Sequence, residues 1–503
     1  MTQLRLSVTL PTLLFIGLVS VASLASPSTF VNALQAIQTW ILEHFDWLFD
    51  WTVFFMVIAT IIVYVSPLGN VVIGGEGAKP ILPKSRWCFI VICTTIATGI
   101  LFWGCAEPLY HMHAPPYADM AMGEAKVFAM STLFMHWSLS PYAIYTLISL
   151  LFALLYYNFQ KPYRVASLME RGTVVADTSS VTRSTPFKDI VDIVCLVALI
   201  CGMSAALGAG ILTIGGGLEK ISEMHQGAVM WAIIAGLITL AFIVSSISGL
   251  HRGITWLSFT NTILFVIFIA VFAWALTDKS VWSLAGSGLS DYAKTFLPRS
   301  LGLDGGTSTW RHSWTTFYWS NWLAWAPVSA LFLGRLGIGY TVREFIRVNL
   351  FYPSLFAILW VTVFGGVAVI RDLNQEGVLY DLLLEDGPQS VIFSLIGETE
   401  WGLFGITSLL FIVFISYVTA ADSNTTAMSA ICTKGISPTS PEAPVYIKLL
   451  CGVTIALLAW VMITYAGLDG IRILSVLGGF PVLFLSIWII ISMMRLVLYD
   501  RRA

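Results

Sequence analysis

The chain has 503 residues, of which 57% are hydrophobic and only 11% charged, and a mean hydropathy of +0.84. That composition excludes a soluble globular fold. A formal net charge of -2 without a basic tail excludes a nucleic-acid partner.

A membrane-crossing helix needs about 20 predominantly apolar residues. Twelve segments qualify, at 8–27, 50–67, 86–104, 127–157, 188–214, 227–248, 254–276, 313–335, 346–370, 401–430, 446–466 and 471–497. The predicted class is an all-α integral membrane protein with 12 transmembrane helices. The first segment has the outline of a signal peptide, with Arg5 ahead of an apolar run that ends in small residues. A first span is the better reading, because the chain that follows is itself membranous. With the N-terminus in the cytoplasm, most of the 26 Lys and Arg residues fall inside, among them Lys79, Lys84, Arg86, Lys161, Arg164, Arg335, Arg343 and Arg347. The outer stretch 371–400 is acidic (Asp372, Glu376, Asp381, Glu385, Asp386, Glu398). Shifting the count by one span spoils this asymmetry, so both termini are expected in the cytoplasm of a multi-pass membrane protein.

The third segment, WCFIVICTTIATGILFWGCAEPLYHMHAPP, carries Thr94, Thr95, Thr98 and Gly99 at mid-membrane. Helical threonines usually bond back to their own carbonyls, so alone they indicate little. His111 and His113 in its outer loop lack the spacing of a metal site. The fourth segment contains HWSLSPYAIY, in which Pro141 is expected to kink the helix and turn Trp137, Tyr142 and Tyr145 towards one cavity. The competing reading, an interfacial aromatic belt, loses ground because a second aromatic cluster also sits beside a proline. His136 reads as a satisfied core histidine. In the fifth segment, CGMSAALGAGILTIGGGLEKIS, glycine suits either close helix packing or a helix loosened for substrate; Gly215, Gly216 and Gly217 are expected to end it. Residues 278–300 are too polar to span and are predicted to form an outer amphipathic helix on the membrane surface.

Between Arg311 and Arg347 the chain reads RHSWTTFYWSNWLAWAPVSALFLGRLGIGYTVREFIR. Tryptophan normally marks the ends of a span, yet Trp314, Trp319, Trp322 and Trp325 run into its middle, around Ser320 and Asn321. Clustered indole faces in a low-dielectric interior trap a cation whose charge is spread over methyl groups. Pro327 at that depth suggests an interrupted helix that opens its backbone to a ligand. In the tenth segment Ser416, Thr419 and Asp422 share one face. An intramembrane carboxylate is functional or firmly paired, and hydroxyls and carbonyls are the ligands that sodium, a hard cation, requires. Spacing leaves open whether Asp422 lies deep or caps the helix. The seven cysteines sit mostly in apolar runs and read as small core hydrophobes, neither a disulfide framework nor a zinc site. Neither HExxH nor GxSxG occurs, so an enzyme is not expected, and no cofactor is implied beyond a coupling ion.

At WTTFYWSNWLAWAP, FLGRLGIGYTVREFI, FWGCAEPLYH, HWSLSPYAIY, GMSAALGAG and VTAADS the chain resembles the betaine/carnitine/choline transporter family. The resemblance implies a LeuT-type 5+5 inverted repeat and a homotrimer in a bacterial inner membrane. Residues 1–67 would form two N-terminal helices, 86–276 the first five-helix repeat, 278–300 the periplasmic helix and 313–497 the second repeat, with spans three and eight as counterpart interrupted helices. It further implies an aromatic box for the substrate ammonium, whose members here are Trp137, Tyr142, Tyr145, Trp322 and Trp325. The family's tandem tryptophans are matched by Asn321-Trp322, so one indole is missing and Asn321 would polarise one wall.

The implied ion-binding positions are Thr98 and Thr419, with Cys93, Ile96 and Ser416 beside them; a sodium ion would sit at Thr419. Thr95-Ile96-Ala97-Thr98-Gly99 stands where sodium-coupled betaine carriers show GMGIG, and Ala420 where a serine is usual. The sodium-independent carnitine exchanger places a methionine and an arginine at positions matched here by Ser329 and Thr255, neither of which replaces a cation. The short termini lack the charged extensions of osmosensing members, so osmotic regulation is not expected. The function implied is import of a small methylated ammonium compound by cation-coupled symport, sodium ahead of protons. The alternatives are a sodium-independent exchanger of the carnitine type and a neutral amino-acid transporter on the same scaffold.

Overall fold

The computed structural model describes residues 4–96, 99–170, 186–222, 224–247, 250–434 and 444–499. Among them the fold is wholly helical, with isolated backbone bridges only at Leu4–Thr433 and Val72–Thr341. The first part of the chain forms α1 (Leu6–Ala25), α2 (Pro27–Val65), α3 (Lys84–Ile96), α4 (Gly99–Trp103), α5 (Glu107–His113), α6 (Met122–Trp137) and α7 (Leu139–Ala153). Next come α8 (Pro186–Ser222), α9 (Ala228–Ile247), α10 (Leu250–Leu276), α11 (Lys279–Ser300) and α12 (Ser308–Arg311). The rest comprises α13 (Phe317–Leu336), α14 (Val342–Ile346), α15 (Tyr352–Asn374), α16 (Val378–Asp386), α17 (Pro388–Gly397), α18 (Gly402–Ile431) and α19 (Val445–Tyr499).

Eight helical stretches of the described residues are long and apolar enough to cross a membrane. Four features separate that number from the twelve segments of the sequence. The third segment is divided between α3 and α4, α9 is a shorter apolar helix, and α13 carries Ser320, Asn321 and Arg335. The last two segments run together in α19, whose 55 residues would reach about 80 Å at 1.5 Å each, against a hydrocarbon core of about 30 Å. Gly467 divides that stretch with φ 53° and ψ −131°, a backbone conformation reserved for glycine.

Burial follows each helix's neighbours. The middle of Met122–Asn158 is almost wholly buried, so that span is enclosed by protein. On the periphery α1 and α10 leave Leu18 71% and Trp274 77% exposed, surface that only hydrocarbon covers without penalty. Small residues let the inner helices meet. At Gly208 an added Cβ would lie 2.9 Å from Ile463, and at Gly217 2.5 Å from Leu410 and 2.6 Å from Phe393. Gly215–Gly217 therefore do not end a helix as their spacing suggested; α8 runs through them to Ser222, because neighbouring helices need that space.

Two prolines also act differently from expectation. The fourth span breaks at Ser138 (φ −120°, ψ −111°), and Pro141 lies in the first turn of α7, where its missing N–H has no intrahelical acceptor to lose. Pro327 does not interrupt its helix: α13 continues to Leu336, and the irregularity is a π-helical turn at His312–Thr316. The segment after α13 is pinned through Thr341, whose hydroxyl accepts from Glu344 N at 3.2 Å while Glu344 reaches back to Thr341 N, a capping box. Residues 279–300 form α11, opened by Asp278, which accepts from the backbone of Ser280 and Val281. Arg5 and Arg164 clasp Asp189 and Asp192 at 2.9–3.1 Å, tying α1 and the segment after α7 to α8.

Candidate substrate cage

The break at Ser138 and the helical spacing of α13 bring aromatic side chains from three elements together. Trp137 ends α6, Tyr142 and Tyr145 are three apart on α7, and Tyr318, Trp322 and Trp325 follow one face of α13. Trp322 is the hub. Its ring centroid lies 5.6 Å from Trp137 at 78°, 5.3 Å from Tyr145 at 68° and 5.8 Å from Tyr142 at 59°. Edge-on and tilted rings at these separations are attractive, and they leave faces free for another partner. Gly99 makes the approach of Trp137 possible, since a Cβ there would sit 2.9 Å from the indole.

The rings border a cavity between α4, α6, α7, α8 and α13. Trp137, Tyr145, Asn321, Trp322 and Trp325 line it directly, whereas Tyr142 supports Trp322 from outside the lining. Asn321 accepts a hydrogen bond from the Ser475 hydroxyl at 3.0 Å, so one wall is polar and tethered to α19. Trp314 and Trp319 lie elsewhere. Trp314 packs 4.7 Å from His111, with the Arg472 guanidinium 5.4 Å from its ring; Trp319 is fully buried and stands 5.7 Å from His136.

Sequence reading passed over Trp103 and Phe317, which line the cavity at 6.0 Å from each other. It also passed over Glu107, whose carboxylate accepts from the Trp137 indole at 2.7 Å and the Tyr318 hydroxyl at 2.5 Å. The signal for Glu107 was an acidic residue at the end of an apolar, aromatic run, FWGCAEP. His136 is satisfied, as expected, by Glu107 at 2.6 Å and Thr315 at 3.1 Å.

The candidate ion ligands are only partly described. Thr98 and the side chains of Ile96 and Thr255 lie outside the described residues. Cys93 and Ser416 are joined by an unforeseen residue, Asn261, whose amide nitrogen lies 3.4 Å from Cys93 Sγ and 2.9 Å from Ser416 Oγ. Thr419 and Ser416 donate to carbonyls of their own helix, Ile415 at 2.8 Å and Ile412 at 2.7 Å. Asp422 is buried within α18 and does not cap its end. Ser329 donates to Trp325 O at 3.3 Å. No disulfide forms among the described residues.

Residues 7–502 match the family described as betaine/carnitine/choline family transporters. The ectoine/hydroxyectoine transporter of Virgibacillus pantothenticus is 28% identical over 94% of this chain and 92% of its own length. The glycine betaine/proline/choline/ectoine transporter of Vibrio parahaemolyticus is 25% identical over 94% of this chain and 83% of its own. Glycine betaine transporter OpuD of Bacillus subtilis is 26% identical over 95% and 91%. The chain therefore belongs to the betaine/carnitine/choline transporter family, whose multi-pass membrane members move small molecules and are not enzymes.

Proposed function

We propose that this transporter imports a small methylated ammonium compound by symport with a cation, sodium ahead of protons. The observation that carries the proposal is the convergence of Trp137 and Tyr145 on the Trp322 indole around one cavity. A methylated ammonium spreads its charge over its methyl groups and so suits ring faces better than water-filled polar sites. Four ring contacts of about 0.5–2 kcal/mol each contribute about 2–8 kcal/mol, which reaches the micromolar range at its upper end. Relatives named for betaine, proline, choline and ectoine fit a cage with one polar wall. Asn321 suits a carboxylate, a hydroxyl or an N–H better than a second indole would.

In this reading the chain has twelve spans with both ends in the bacterial cytoplasm, two inverted five-helix repeats and a trimeric assembly. Sodium near Thr419, with Ser416 and Cys93 tied through Asn261, would link α3 to α18 and favour one access state; rocking of one bundle then opens the cage inward. Reconstituted protein should accumulate labelled betaine or ectoine above equilibrium under an inward sodium gradient and not under a potassium gradient. Accumulation equal in both would remove the sodium assignment, and mere equilibration in both would indicate a channel. Asn321→Trp should raise affinity for fully methylated betaine about tenfold relative to ectoine, by adding one cation–π wall. Unaltered selectivity would place Asn321 away from the ligand.

A further inference from the structure

Glu107 is fully buried at the start of α5 and receives four side-chain donors. One oxygen takes the Trp137 indole N–H at 2.7 Å and the Tyr318 hydroxyl at 2.5 Å. The other faces His111 Nε2 at 3.0 Å and His136 Nδ1 at 2.6 Å. If His111 were an imidazolium, its Nδ1–H would be a buried donor with no acceptor, since that atom has no partner among the described residues; neutral His111 donates through Nε2 instead. The Thr315 hydroxyl, able both to donate and to accept, stands 3.1 Å from His136 Nε2, while His136 Nδ1 faces Glu107 at 2.6 Å.

The charged groups on neighbouring elements have acidic partners of their own. Arg299 lies 3.0 Å from Asp291 and bonds Ser131 at 2.8 Å. Arg472 lies 3.6 Å from Asp469 and rests against Trp314. The Tyr110 ring packs 5.2 Å from Trp314 and is an uncharged neighbour. The Glu107 carboxylate thus reaches the edge of the cage through its two donors there, Trp137 and Tyr318.

We propose that Glu107 is a positioning residue which holds Trp137 and Tyr318 in place and makes the cage select a cation over an uncharged molecule of the same shape. A carboxylate on an indole N–H polarises the ring and enriches its face. Its own charge also attracts the ligand in a medium that screens poorly. Burying a carboxylate beside rings that could pack without it is costly, and charge selection gives that arrangement a use. The inference rests on the ammonium cage proposed above.

The test compares choline with its neutral carbon analogue, dimethylbutanol, titrated against the purified full-length protein by tryptophan fluorescence. Glu107→Gln keeps an acceptor for Trp137 and loses the charge. It should shrink the affinity ratio of choline to dimethylbutanol by about tenfold or more, with dimethylbutanol binding changed less than about threefold. Glu107→Asp, which keeps the charge, should weaken both ligands yet hold their ratio within about threefold. A ratio unchanged in Glu107→Gln, or both ligands weakened equally, would overturn the inference, because a merely structural role lowers both together. If Glu107→Gln does not reach the membrane, the size-matched pair Glu107→Asp and Glu107→Asn decides: a ratio held in Glu107→Asp and reduced about tenfold in Glu107→Asn supports the inference, and equal ratios in the two refute it. Failure of choline to bind wild-type protein would remove the cage reading along with this one. Choline binding that Trp322→Ala abolishes and Glu107→Gln leaves selective would remove this one only.

Discussion

Trp322→Ala should reduce uptake to background while the protein still reaches the membrane. The substitution removes one ring face, a contact of up to about 2 kcal/mol or roughly thirtyfold in affinity. It also removes the surface against which Trp137, Tyr142 and Tyr145 are held at 5.3–5.8 Å. Three rings without a common support lose their mutual orientation, so the combined loss should exceed a hundredfold at about 3 kcal/mol or more. Trp325→Ala should cost less, because Trp325 lines the cavity without carrying the other rings. The comparison is made with labelled betaine and ectoine in proteoliposomes carrying equal amounts of protein. Uptake by Trp322→Ala at half the wild-type rate would show that Trp322 does not form the substrate site.

Gly479→Ala should prevent the second half of α19 from docking on α13. A Cβ at Gly479 would overlap the Ser320 carbonyl and lie 2.6 Å from its Cα, and at Gly478 it would meet the Ala198 carbonyl at 2.8 Å. These obstacles are backbone, which cannot swing aside as a side-chain tip can. Overpacking of this kind costs about 1–3 kcal/mol or more, and here the displaced residue, Ser320, adjoins Asn321 of the cage wall. The Ser475–Asn321 hydrogen bond would be lost with the shift. The expected outcome is aggregated or unassembled protein on fluorescence-detected size exclusion, together with loss of uptake. Gly236→Ala, which adds a methyl group where nothing lies within 4 Å, should behave as wild type. A monodisperse, fully active Gly479→Ala protein would show that the helices have room to separate.

Much of the architecture was legible because hydrocarbon imposes one simple demand, long apolar helices, and Lys and Arg mark their flanks. The aromatic cluster was legible in part. Tyr142 and Tyr145, like Trp322 and Trp325, stand three residues apart, so each pair shares a helix face wherever its helix lies. Trp314 and Trp319 belong to the same run, but the π-helical turn at His312–Thr316 and the packing around His111 and His136 carry them away from the cavity. Pro141 and Pro327 misled because a proline's effect depends on its position in the helix, which is set at Ser138 and His312 and not by the proline. Gly216 answers to Gln389, and Gly217 to Leu410 and Phe393, all distant in sequence. Glu107 draws its donors from positions 111, 136, 137 and 318, and Asn261 joins α3 to α18. No local pattern encodes those meetings.

The most direct measurement is the structure of the full-length protein determined with choline bound. Its quaternary nitrogen is expected within about 6 Å of the Trp322 ring centroid and of at least one of Trp137 and Tyr145, with Asn321 beside the hydroxyl end. Choline found away from these rings, for instance in the open cavity bordered by Glu219, His225, Asp386 and Gln389, with the space around Trp322 empty, would contradict the cage.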